Sequence, residues 1–152
     1  MEHYRTEPPL ELSPSTARGE FTNADIVFYE VEHRGRSFEA RVFLNAPEAD
    51  LNTPLTIEAG FAGSFVVFGH GGCFGDKGHC TVPTGPRDPF DSRPPHGLTP
   101  QTKLVDITEA LKAPRCAGET LMVSVIAVIP GEEQTGPADV LFFSELRLLT
   151  YR

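Results

Sequence analysis

An antiparallel β-sandwich of about six to eight strands, with one short helix and a long Gly- and Pro-rich loop, is the fold that this sequence predicts. Three observations predict it. Apolar residues fall in short runs rich in Val, Ile and Phe, several of them alternating with polar residues. Turn-forming stretches separate the runs at short intervals. The 14 Gly and 14 Pro in 152 residues break up long helices. A chain of this length buries one core and is too short for two ordinary domains.

Residues 1–24 are rich in Pro, Ser, Thr and Glu, a composition that buries too little surface to order itself. They predict a flexible arm ahead of a single domain over 25–152. The run Ile26-Val27-Phe28-Tyr29-Glu30-Val31-Glu32 is β-branched and aromatic and predicts a first strand, followed by the turn Arg34-Gly35-Arg36. Phe38, Ala40, Val42 and Leu44 then alternate with Glu39, Arg41, Phe43 and Asn45, so that the two strands read as a hairpin. Thr56-Ile57-Glu58 is a candidate edge strand. The run from Gly60 to Gly69 is apolar nearly throughout, which suits a strand covered on both faces.

From His70 to Pro100 the chain is dense in Gly, Pro and Asp and has no periodicity, which makes it too long for a simple connection. Lys103 to Asp106 predicts another strand. Ile107 to Lys112 predicts one helical turn, with Asp106 as its cap and Pro114 as its stop. Leu121 to Ile129 and Val140 to Leu149 are the most apolar segments and read as central core strands, joined by the loop from Pro130 to Asp139.

The net charge of −8 and pI near 5.0 argue against a nucleic-acid partner, and no Lys or Arg run offers a grip on an anionic membrane. No window reaches 18 consecutive apolar residues. Acids and prolines occupy residues 1–9, where a secretory leader needs a basic start and an apolar stretch. Three cysteines make an odd count for a disulfide framework. These features predict a reducing, cytoplasmic setting.

The series Ile26-Val27-Phe28-Tyr29, Ser37-Phe38-Glu39-Ala40-Arg41-Val42-Phe43-Leu44-Asn45 and Ala62-Gly63-Ser64-Phe65-Val66 ending in His70 resembles the C-terminal region of polyphenol oxidases and tyrosinases. That region is named for a Lys-Phe-Asp-Val motif. Ser37-Phe38-Glu39-Ala40 stands in its place here and keeps only the Phe. Lys103 to Leu111, Leu121 to Pro130 and Phe143 to Leu149 are similar to later elements of the same region, and the resemblance covers roughly 25–152. The loop from Gly71 to Pro100 departs from it in length and Cys content. The resemblance implies a β-sandwich that covers or regulates a type-3 dicopper oxidase, an accessory role without catalysis. The oxidase itself holds each copper with three histidines on helices. This chain has five histidines, none in helical His-x-x-x-His spacing.

One motif carries metal chemistry. His70, Cys73, His79 and Cys80 place two imidazoles and two thiols within eleven residues on a Gly-rich backbone, a donor set that suits copper or zinc. The spacing matches no standard zinc finger. Two structural readings compete with it: a Cys73–Cys80 disulfide closing a small loop, and free buried thiols with hydrogen-bonded histidines. The metal reading predicts a copper-binding or copper-delivery protein. A third reading is a small enzyme with its site in residues 70–100, where Asp88, Asp91 and His96 are acid-base candidates, although turn formation and solvation account for them more simply. Cys116 has no obvious base near it in sequence, and Ser64 lacks the Gly-x-Ser-x-Gly turn of hydrolases.

Overall fold

A computed structural model describes residues 3–71, 78, 80–92, 96–131 and 140–152. The alternation in the sequence becomes two stacked antiparallel sheets and a small two-stranded ribbon. Nine strands are described: β1 (His3–Arg5), β2 (Leu10–Glu11), β3 (Asn23–Val31), β4 (Phe38–Leu44), β5 (Phe61–Val67), β6 (Gln101–Asp106), β7 (Thr120–Leu121), β8 (Val123–Val128) and β9 (Glu145–Tyr151). One sheet runs β1-β8-β4-β5, the second β6-β3-β9, and β2 pairs with β7. All described pairs are antiparallel.

The period-two pattern decides what each strand buries. From β4, Phe38, Ala40, Val42 and Leu44 point inward, and β8 adds Val123, Val125 and Ala127. Across the core, β3 supplies Ala24, Ile26 and Phe28 and β6 supplies Val105. Phe28 joins the layers, with its ring centroid 4.9 Å from Phe65 of β5 and 5.2 Å from Phe143. Phe43 points the other way, yet it is fully buried. It packs with Ala46, Ala49, Ile126 and Phe61 where the chain after β4 folds back under the outer face of the sheet.

Several connections differ from the sequence reading. β3 and β4 form no hairpin, because β3 pairs with β6 and β9 while β4 pairs with β5 and β8. The Arg34-Gly35-Arg36 segment therefore crosses between sheets. Both strands bury one face, and stacking satisfies those faces as well as pairing does. β5 lies at a sheet edge rather than under cover on both faces, with Ser64, Val66 and Phe68 exposed. Gly63 lets β6 approach closely there: a Cβ on it would sit 2.6 Å from Val105 Cγ1. Ile57–Ala59 is a 3-10 turn capped by Thr56 and closed by Gly60 at φ +96°, not a strand. β8 is central as expected, whereas β9 is an edge strand that begins at Glu145.

Helix is minor. α1 covers Pro14–Ala17 and is capped by Ser13; α2 covers Thr108–Leu111. Hydrogen bonding from the Thr108 side chain, and from Thr108 N at 2.8 Å, holds the Asp106 pKa below the usual range. Pro114 opens a further 3-10 turn, Pro114–Cys116. No described helix is long and apolar enough to cross a membrane.

Residues 3–24 hold more structure than an arm. Tyr4 of β1 turns inward onto Phe143, with ring centroids 4.8 Å apart. Thr6 is buried, and its backbone and hydroxyl both bond Val123 at 3.0 Å. Thr22 N donates to Tyr151 O at 2.7 Å. A few well-placed anchors outweigh the polar average, because each satisfies a partner more than a hundred residues away. Deleting residues 1–12 is expected to lower the urea midpoint of unfolding clearly, where a true arm would leave it unchanged. Phe28→Ala is expected to cost about 3–5 kcal/mol in the same measurement.

Candidate functional site

The long loop after β5 stands on two stems, and one residue holds both. His70 N donates to His33 O at 2.9 Å, and Gly71 N donates to Gly35 O at 2.7 Å, which prolongs the line of β5 beyond its last strand residue. Gly69 passes so close to the β3–β4 crossing that a Cβ on it would lie 2.2 Å from the Arg36 carbonyl carbon. At the other stem, His33 Nε2 meets Thr99 O at 2.9 Å. A carbonyl only accepts, so Nε2 carries the proton. His33 is 7% exposed and Leu98 beside that stem is 4% exposed. The sequence reading missed His33. It stands alone between a strand and a turn, and nothing in its spacing marks it.

Of the metal set, His70 and Cys80 are described, whereas Cys73 and His79 lie outside the described residues. Cys80 is half-buried and disulfide-bonded. Among the described residues, no three His, Cys, Asp or Glu side chains gather in a metal-binding arrangement. His96 Nδ1 accepts from Leu98 N at 3.1 Å. Asp88 Oδ1 accepts from Phe90 N at 2.8 Å, and Asp91 lies 3.7 Å from the Arg87 guanidinium. These groups shape turns.

The remaining nucleophile candidates are Ser64 and Cys116. Ser64 is exposed on β5, opposite Arg41, which itself pairs with Glu39 at 3.0 Å. Cys116 is 5% exposed and free, and burial pushes its thiol up against the opposing pull of Arg115. Three open surface hollows, of about 440, 540 and 380 Å³, are lined by neither His nor Cys.

The outer face of the β6-β3-β9 sheet has the features of a contact surface. Leu104, Val27 and Arg147 lie in one cross-strand row, with Leu149 one step along. Leu104 is 55% exposed and Tyr151 45% exposed. The Arg147 guanidinium lies 5.4 Å from the Tyr29 ring centroid. Asp25 and Asp106 stand directly opposite each other. The signal was present in the sequence: Ile26-Val27-Phe28-Tyr29 is apolar on both parities, more than a one-sided strand needs.

No protein-family profile matches the chain. No curated protein sequence matches it significantly. Solved structures do. The chain is similar to recombinantly expressed latent aurone synthase, a polyphenol oxidase, with a TM-score of 0.56 and 13% identity over 99% of this chain and 24% of that one. Latent aurone synthase from its natural source gives the same TM-score at 15% identity, again over 99% and 24%. The likeness is one of fold. The chain spans about a quarter of the length of the structures it matches.

Two outcomes test the local geometry. His33→Ala is expected to speed protease cleavage within residues 81–92 and to cost about 0.5–1.5 kcal/mol, the net worth of one hydrogen bond to the exposed Thr99. His33→Gln keeps a donor and is expected to recover part of both. Because the folded Cys116 thiol has a raised pKa, its contribution to stability is fully present below the unfolded value and is lost as pH rises through the folded one. Iodoacetamide at pH 8 is therefore expected to label Cys116 far more slowly in native protein than in urea, read by mass spectrometry.

Proposed function

We propose that this domain is a non-catalytic accessory module that covers or regulates a tyrosinase-like dicopper oxidase. One observation carries the reading. Nearly the whole chain takes the fold of one quarter of a latent polyphenol oxidase, and its sequence resembles the C-terminal region of such oxidases over roughly 25–152. The residues support an accessory rather than a catalytic role. Two coppers held by three histidines each need six, and the chain has five, of which the described ones lie on β1 or in loops. A rigid sandwich with an exposed apolar face is suited to resting against a neighbour.

Affinity capture from the source organism, with this domain as bait and mass spectrometry as readout, tests the proposal. The expected result is a dicopper oxidase whose diphenol oxidation slows when the domain is added back. Capture without any copper oxidase, or an oxidase whose rate is indifferent to the domain, overturns it.

A further inference from the structure

We infer that the outer face of the β6-β3-β9 sheet is the surface on which the oxidase domain docks, an inference that rests on the function proposed above. An antiparallel sheet with one solvated face alternates apolar inward and polar outward. This face breaks the rule at its centre. Val27 is 4% exposed, yet it belongs to neither of the two buried clusters of the sandwich. Its cover is its own face, where Leu104 lies opposite it and is more than half exposed.

The rim supplies recognition. Tyr29 and Arg147 are of the residue types that carry most binding energy at interfaces, and they already hold each other in place. Asp25 and Asp106 oppose each other directly and make one edge of the face acidic. Lys112 acts on Asp106 electrostatically and pairs with Glu109 at 3.3 Å. The occupant that complements this edge presents an apolar patch and a Lys or Arg beside it.

Size distinguishes between occupants. Strand spacing and rise give this three-stranded face roughly 400 Å² in plan. A stable interface buries about 800 Å² per partner, so the face is small for a dimer of this chain. It is adequate for a larger neighbour that also covers the rim around it, as a body about three times the size of this domain does. In the solved structures that the chain resembles, three quarters of the polypeptide lie outside the matched part.

The test uses the oxidase captured with the wild-type domain and three variants, Leu104→Asp, Asp25→Lys and the loop control Phe68→Ser. Circular dichroism first establishes that each variant folds, and Asp25→Lys carries the test if Leu104→Asp does not. Both face variants are expected to weaken capture and inhibition about tenfold or more, while Phe68→Ser leaves them unchanged. If both face variants inhibit like the wild type, the docking face is wrong and the covering function stands. If the wild type captures no copper oxidase, both readings fall. A wild-type dimer in sedimentation velocity that Leu104→Asp dissolves assigns the face to a second copy and overturns the inference.

Discussion

The contact between Phe28 and Phe65 is the interaction on which the other parts of the molecule depend. It joins the central strand of one sheet to an edge strand of the other, and Phe143 and Tyr4 extend it to the segment before β9 and to the first strand. The two inner faces are apolar because they alternate in period two, and an apolar face is stable only against another. Once the layers meet on Phe28, the crossing from β3 to β4 is fixed. That crossing places His33, Gly35 and Arg36 beside Gly69, and the stems of the long loop follow.

Strand existence was largely legible from the residues, because alternation is a local property. β3, β4, β6 and β8 stand close to where the pattern puts them. Pairing was much less legible. The sequence reading joined β3 to β4 because they are adjacent with a Gly turn between them, and nothing local states that each prefers to stack. The N-terminal residues were misjudged for a related reason. An average over Pro, Ser and Glu hides Tyr4 and Thr6, whose partners, Phe143 and Val123, lie far along the chain.

The functional residues divide along the same line. The Cys and His of the loop were conspicuous as residue types, although half of that set lies outside the described structure. The clasp at His33 was invisible, because a lone buried histidine carries no periodic signature. The sheet face was not read from the sequence: Val27 belongs to a run that reads as one strand, and Leu104 and Leu149 became its neighbours only when register was known.

The His33 clasp has an architectural consequence. Both feet of the segment from His70 to Thr99 are held by a single residue, so His33 sets the closure of that loop. Loop-closure entropy grows slowly, about 0.6 kcal/mol for each doubling of length. Insertions between the feet are therefore inexpensive in closure entropy, and a foreign sequence grafted there would be carried on the His33 clasp.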